Sequence, residues 1–527
     1  MHDAMPYIAL LIVVLTGIGI VKKLQVNILL LFAGIALNVL AILGGNMDLL
    51  PKGTHSTGFI GFDLFALLAA LSKHQVATTG FIILVSGGFA AYMDQIGATD
   101  KLVSVCLKPL RKLRNPYLIM GAVFILGHFL GFVVTSAAGM AMLLAVSVYP
   151  LLIGLGVSGV AAAAVIGSVL VVSYAPSSAI AVLAANTAGI DPMSYLIQYQ
   201  LPVAIPAVIT MAVLHVLVQS YLDKKDTAAG ILVKTDPKMI EAKTSKAENL
   251  PWYYALLPIV PLILLFIFNK MVYKTIVLDV AVAMFIGWVI GILVDLLHRR
   301  SLNACFEDGF AMFKGMGHMM QSVVGLIFVA ALFAAGLKNA GLVALLIDAA
   351  KSVGFGITGT GLVMSGVIGL VTVLTGSGVA SFTGLVPIAP SLAAGLGGDP
   401  IPLVLMMQIS SEFLRPLSPV AGVIIIVAGF ANVSPLTVIR RTWLPCCAGM
   451  AVALGHPFCS SENRKTDSFP LASARNGSVL KQPKKNPSDL CLLGFIWRKG
   501  RDSNPRYGIT VCRISSPVHS TTLPPFQ

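Results

Sequence analysis

Charge is the scarcest property of this chain. Only 11% of its 527 residues are Asp, Glu, Lys or Arg, with 22 acidic against 36 basic side chains, whereas an ordinary soluble domain carries about 25%. That supply cannot keep so long a chain in water, and an ordinary soluble globular protein is excluded. Catalytic signatures are missing too. There is no glycine-lysine loop of the Walker A type, no HExxH zinc site and no GxSxG nucleophile elbow, so ATP-driven transport and the familiar hydrolases lack a motif. The seven cysteines, Cys106, Cys305, Cys446, Cys447, Cys459, Cys491 and Cys512, are odd in number and have no regular metal-ligand spacing. They read as inert or structural thiols rather than as a disulfide framework. No motif asks for a cofactor.

What is present is apolar. Hydrophobic residues make up 57% of the chain, and 50 glycines, 29 prolines and 20 methionines accompany a mean hydropathy of +0.88. Glycine and proline are commoner in membrane helices than in soluble ones. A span takes about 20 mostly apolar residues, so the supply covers roughly ten to twelve spans with their loops. The reading is an all-α polytopic membrane protein surrounded by lipid. Its net charge of +14 does not indicate a nucleic-acid partner, because half of it, +7, lies in residues 461–527 alone. Distribution decides such a question rather than the sum.

Apolar stretches run near 7–21, 26–48, 80–97, 117–135, 138–156, 158–174 and 200–219, and resume near 252–269, 274–296, 320–337, 340–349, 357–375, 380–396, 400–409, 417–431 and 436–455. The first lacks a basic leader segment and reads as a transmembrane helix. Between the two groups, Asp223, Lys224, Lys225, Asp226, Lys234, Asp236, Lys238, Glu241, Lys243, Lys246 and Glu248 mark a polar linker. The organisation expected is a first transmembrane repeat over 1–221, a linker over 222–250, a second repeat over 251–458 and a basic tail over 459–527. The tail has the composition of a disordered segment and contains no span. The basic loop Lys101, Lys108, Arg111, Lys112 and Arg114 should face the cytoplasm. Whether 59–72 crosses the bilayer fixes the side on which the N-terminus lies.

Three landmarks recur about 240 to 245 residues apart. Phe89-Ala90-Ala91 with Gly97 matches Phe333-Ala334-Ala335 with Gly341. Gly139, Val146, Pro150, Gly154 and Gly156 match Gly384, Val386, Pro390, Gly395 and Gly397 in order. The stretch Ser173 to Ser178 falls opposite Leu417 to Gly422. Such repetition is the signature of an internally duplicated carrier, and short, interrupted stretches at matching places point to broken helices around a binding site.

Polar residues cluster at those interruptions. Thr135-Ser136-Ala137-Ala138-Gly139 and Thr375-Gly376-Ser377-Gly378, with Ser381 and Thr383 beyond, could each open a helix whose free amides hold an anion; small-residue helix packing explains the same composition without a ligand. A second pair combines Ser173, Pro176, Ser177, Ser178, Asn186 and Thr187 with Gln408, Ser410, Ser411, Glu412, Arg415, Ser418 and Pro419. Glu412 and Arg415 stand out, since intramembrane charge is costly and either pairs or serves transport. Arg415 could offer a guanidinium fork to a substrate carboxylate, the two could pair at i,i+3, or both could flank the membrane interface. His128, His215, His318 and Asp94 carry little weight alone, and Asp191-Pro192 reads as a turn.

The stretches VSGGFAAYMDQIGATDKL, SYAPSSAIAVLAANTAG, TGSGVASFTGLVPIAP and QISSEFLRPLSPVAGVI resemble the anaerobic C4-dicarboxylate carriers of the Dcu C-type, over residues 7 to about 455. The resemblance implies a bacterial inner-membrane carrier of succinate, fumarate, malate or aspartate, working by exchange, efflux or cation-coupled symport. It also implies two inverted repeats, each with a re-entrant hairpin and a broken helix, and a scaffold suited to a homodimer. On it rests the expected substrate site: Ser136, Ser177, Ser178, Asn186 and Thr187 from the first half, and Thr375, Ser377, Ser381, Glu412, Arg415 and Ser418 from the second. A coupling Na+ or H+ is expected without a choice between them. The alternatives are a carrier of another organic or inorganic anion on the same scaffold, a channel, a membrane scaffold and, least of all, a membrane enzyme.

Overall fold

The computed structural model describes residues 4–22, 24–51, 53–108, 115–229, 250–268 and 275–456. Arg111, Lys112 and Arg114 of the basic loop, most of the polar linker and the whole basic tail lie outside the described residues. Every regular element among the described residues is helical. In the first half these are α1 (Met5–Val21), α2 (Val26–Leu43), α3 (Ile60–Gln75), α4 (Phe81–Gln95), α5 (Ala98–Leu107), α6 (Pro116–Leu130), α7 (Ala137–Ser147), α8 (Tyr149–Gly154), α9 (Gly159–Ser168), α10 (Ala179–Ala188), α11 (Pro192–Tyr195) and α12 (Leu201–Ala228). The second half has α13 (Val260–Ile267), preceded by a 3-10 turn at Trp252–Ile259, then α14 (Val280–Arg299), α15 (Leu302–Gly309), α16 (Ala311–Met319), α17 (Gly325–Asn339), α18 (Leu342–Ser352), α19 (Ile357–Thr375) and α20 (Gly378–Leu385). The chain continues through α21 (Ala389–Gly395), α22 (Pro400–Phe413), α23 (Gly422–Ala431) and α24 (Pro435–Leu454).

Helix starts are written into the sequence. Proline at the first helical position forgoes an amide that would have no partner anyway, as at Pro116, Pro192, Pro400 and Pro435, and the preceding Asn115, Asp191, Asp399 and Ser434 each cap a first-turn amide. In hydrocarbon such caps matter more than in water, because an open backbone amide costs several kcal/mol there. Eight helical stretches among the described residues are long and apolar enough to cross a bilayer. Their outward faces are apolar: Ile205, Ile209, Val213, Leu217 and Tyr221 follow one another at four-residue steps along α12, each more than half exposed. That stripe suits lipid.

Two helices are longer than the hydropathy pattern indicates. The stretch 59–72 is the first part of one continuous helix, Ile60–Gln95, and Leu302–Asn339 is its counterpart. Each carries a π turn, Val76–Gly80 in the first and Met320–Val324 in the second, 244 residues later. The two turns touch, and a methyl on Gly80 would lie 2.9 Å from Cγ1 of Val324. The polar linker also begins later than 222: α12 runs on to Ala228, so the expected boundary at 221 falls inside a helix.

The recurrence extends to backbone detail. Gly97 and Gly341, Gly156 and Gly397, and Gly189 and Asn432 occupy matching left-handed positions. α4 and α17, α5 and α18, α7 and α20, and α10 and α23 then fall in matching order. The halves interlock rather than sit side by side, since α10 packs on α20 and α22 while α23 packs on α7 and α9. Each half therefore supplies walls for the other's interrupted helix.

Candidate functional site

Two helices are broken. In the first half α9 stops at Ser168, and the chain runs without helix to Ser178 before α10 begins. Leu170 in this gap has φ 63, a conformation a branched side chain rarely adopts and holds only where its surroundings impose it. Pro176 and Ser177 make the turn into α10, closed by the Ser178 amide donating to the Ala175 carbonyl at 2.8 Å. Ser177 and Ser178 are both buried, and the Ser178 hydroxyl does not cap the helix it precedes. In the second half α22 ends at Phe413, a 3-10 turn covers Arg415–Leu417, and α23 starts at Gly422. Pro416 and Pro419 keep this gap from closing into a helix. Ser418 is fully buried within it and accepts from the Val420 amide at 3.3 Å.

The turn between α19 and α20 rests on the second gap. Gly376 has φ 74, and a Cβ there would lie 2.7 Å from the Ala421 nitrogen, so glycine is required by both conformation and space. Around it Thr375 donates to the Val371 carbonyl at 2.7 Å, Ser377 caps α20 by accepting from Ala380 at 3.2 Å, and the buried Ser381 hydroxyl meets that of Thr372 at 2.5 Å. In the first half the turn between α6 and α7 packs on the gap after α9 in the same way, with Phe132 stacked on Tyr174 at 5.6 Å between centroids. Ser136 caps α7 through the Gly139 amide at 3.2 Å and is exposed.

Glu412 and Arg415 join the two gaps. The Glu412 carboxylate, completely buried, accepts from the Ser173 amide at 3.1 Å and from Gln408 Nε2 at 3.5 Å. The Arg415 guanidinium donates to the carbonyl of Leu170, an oxygen that the broken α9 leaves without a helical partner. Glu412 is enclosed by protein and Arg415 half so, and the ion pairs among the described residues involve Arg299, Arg440 and Arg441 rather than Glu412 with Arg415. Of the sequence alternatives, direct pairing gives way to a crosswise tie between the two halves. One donor remains over: Nε of Arg415 is buried and has no partner. Gln200 and Tyr195 complete the tie, Gln200 donating to the Ser173 carbonyl at 2.8 Å and Tyr195 to Gln408 Oε1 at 2.7 Å.

The expected residues thus fall into three groups. Thr375, Ser377, Ser381, Glu412, Arg415 and Ser418 surround the second gap. Ser177 and Ser178 lie in the first, and Ser177 shares a cleft with Thr135, the neighbour of Ser136. Asn186 and Thr187 stand apart, near the far end of α10 and about 13 Å along the chain axis from Ser177 at the helical rise. There Asn186 donates to Thr79, in the π turn between α3 and α4, at 2.9 Å. Asn186 thus links the broken helix to the long one.

Sequence reading missed a second polar centre. Arg441 on α24 is buried and bonded to Asp223 and Asp226 on α12, the latter at 2.6 Å. Asp223 also accepts from Ser158, the cap of α9, at 2.6 Å and from Tyr117 at 3.0 Å. No group of three His, Cys, Asp or Glu side chains among the described residues is placed to hold a metal ion. Cys106, Cys305, Cys446 and Cys447 are free thiols.

Known proteins share this architecture. The YdaH transporter of Alcanivorax borkumensis superposes with a TM-score of 0.53 at 17% identity, covering 81% of this chain and 96% of that one. MtrF of Neisseria gonorrhoeae, described as illuminating a class of antimetabolite efflux pumps, gives 0.55 at 14% identity over 84% and 96%. These likenesses establish the fold. In sequence the chain is 33% identical over 448 residues to a Vibrio cholerae protein named probable anaerobic C4-dicarboxylate transporter DcuC, covering 85% of this chain and 96% of that protein. It is 32% identical over 445 residues to the anaerobic C4-dicarboxylate transporter DcuC of Escherichia coli K12, covering 84% and 94%. The family model described as C4-dicarboxylate anaerobic carrier matches residues 5–456, which takes in both broken helices and nearly every described residue. This multi-pass bacterial inner-membrane transport protein therefore belongs to the C4-dicarboxylate anaerobic carrier family.

Proposed function

We propose that the chain is a secondary carrier of C4-dicarboxylates such as succinate, fumarate and malate, with exchange as its basic mode. The observation that carries this reading is the pair of interrupted helices, one from each repeat, tied by Glu412 and Arg415 and holding Ser177, Ser178 and Ser418 in buried gaps. A dicarboxylate brings two negative ends. Helix starts at α10 and α20 offer backbone amides to such charge, and Arg415 adds a delocalised cation with a spare buried donor. Transport needs no covalent step: cargo binds, the gaps are presented to the other side of the bilayer, and cargo leaves. The interlocking of α10 with α20 and of α23 with α7 supports two repeats inverted about the membrane midplane, since each would then place its gap at the same depth.

The test is ligand-dependent stability of the detergent-purified chain. Binding to the native state raises the unfolding midpoint with ligand concentration, so succinate, fumarate and malate should each raise it in a saturable way. Acetate and citrate, with one and three carboxylates, should not. Arg415→Ala should lose the response. A shift produced by citrate or sulfate and not by succinate would move the cargo to another anion on the same scaffold.

A further inference from the structure

We infer that Ser86 is a further cargo-contacting residue, its hydroxyl completing a carboxylate subsite between α4 and the starts of α7 and α10. The inference rests on the dicarboxylate reading above and adds to it a residue outside the paired polar gaps.

Ser86 lies within α4, 7% exposed, and its Oγ has no hydrogen-bond partner. A helical hydroxyl in apolar surroundings ordinarily donates to the carbonyl four residues back. Ser72, Ser147 and Ser168 do so here, at 2.7, 2.7 and 2.9 Å. Ser86 faces a cleft instead, where Thr135 and Ser177 present two more hydroxyls and Phe89, Phe132 and Pro176 form apolar walls. It shares the unmet state with Thr360 and Ser365 on α19, which lie outside this cleft. As it stands the cleft holds about one water-sized group, about 10 Å³, and it is partly open to the outside, so a carboxylate end enters as the cleft widens.

Thr135 stands just ahead of α7, an eleven-residue helix, and Ser177 just ahead of α10, a ten-residue helix. Both helices therefore direct their N-terminal ends, with open amides and positive dipole, toward the region these hydroxyls line. Three hydroxyls and two helix starts with apolar walls suit one carboxylate end of a small acid, which accepts hydrogen bonds and nothing else. An unmet buried donor costs stability, and a carboxylate oxygen would meet it.

The repeat supplies an internal control. The residue 244 positions after Ser86 is Ala330, at the same place in α17 and fully buried. Alanine thus fits this helix position in the other half, and the hydroxyl belongs to one repeat only. The subsite is asymmetric by construction.

The full chain in proteoliposomes preloaded with unlabelled succinate tests this. Ser86→Ala should raise the half-saturating concentration for labelled succinate roughly tenfold, as expected for losing a hydrogen bond to a charged group. Ser72→Ala, which removes a hydroxyl already bonded within its own helix, should leave it unchanged. In a separate measurement, the thiol introduced by Ser86→Cys should react with N-ethylmaleimide more slowly in saturating succinate than in saturating acetate, read at that peptide by mass spectrometry. Wild-type half-saturation in Ser86→Ala, or alkylation indifferent to succinate, would overturn the role of Ser86 while leaving the carrier intact. Absence of succinate transport by the parent chain would instead overturn the dicarboxylate reading itself.

Discussion

Arg415 has two jobs that a single substitution separates. One arm of its guanidinium closes the Leu170 carbonyl, and its Nε is left over, buried and without a partner. Lysine could retain the charge and one contact but not the planar fork. Arg415→Lys should therefore insert and extract like the parent while its succinate uptake falls at least tenfold, a result read by size-exclusion profile and initial rate together. Wild-type uptake in a properly inserted Arg415→Lys would show that the fork is not used. Glu412 gives a complementary case: Glu412→Gln keeps an acceptor for the Ser173 amide, whereas Glu412→Ala leaves that amide unmet at a cost of about 1–3 kcal/mol. The expected order of thermal midpoints is parent, then Gln, then Ala. Both charges were legible in the sequence because charge is rare inside a bilayer. Their partners were not, since these are backbone atoms 239 and 245 residues away, and a sequence shows no sign of which main-chain groups a break has released.

At the level of elements, breaks were easier to read than lengths. Proline with small hydroxyl residues marked both gaps, and the structure places gaps there. The long helices Ile60–Gln95 and Leu302–Asn339 were obscured because their first halves carry Asp63, Lys73 and His74, and Glu307, Asp308 and Lys314, which depress hydropathy without ending a helix. The turn at Gly376 offers a sharper test of the gap geometry. Gly376→Ala puts a methyl against the Ala421 backbone in a left-handed conformation, a combination worth about 1–3 kcal/mol. It should lower the thermal midpoint and slow uptake. Gly366→Ala on the neighbouring α19 meets open space and should be neutral or slightly stabilising. Equal effects of the two would mean that the turn does not bear on the second gap.

Over the whole molecule, the two halves are held together by an ion cluster that looked like linker. Asp223 and Asp226 sit in a run of charges at the end of α12, and only the fold brings Arg441, 215 and 218 residues on, to them. Removing one member of a buried ionic group strands the rest, at about 3–5 kcal/mol. Arg441→Ala should accordingly give little extractable protein, and pairing it with Asp223→Asn and Asp226→Asn should recover part of the loss; no recovery would assign Arg441 some other role. The paired landmarks have counterparts in the matching π turns and left-handed positions of the two halves, whereas the interlocking of the halves depends on contacts across more than 200 residues that periodicity does not encode.

At the centre stands one proposed site, shared by two broken helices, that exchanges C4-dicarboxylates. Counterflow of labelled succinate into proteoliposomes containing the full chain tests it most directly. Vesicles preloaded with unlabelled succinate or fumarate should accumulate label transiently and saturably, empty vesicles should not, and Arg415→Ala should abolish the difference. Verified inward- and outward-oriented protein that accumulates no succinate under preloading, a sodium gradient or a proton gradient would contradict the account.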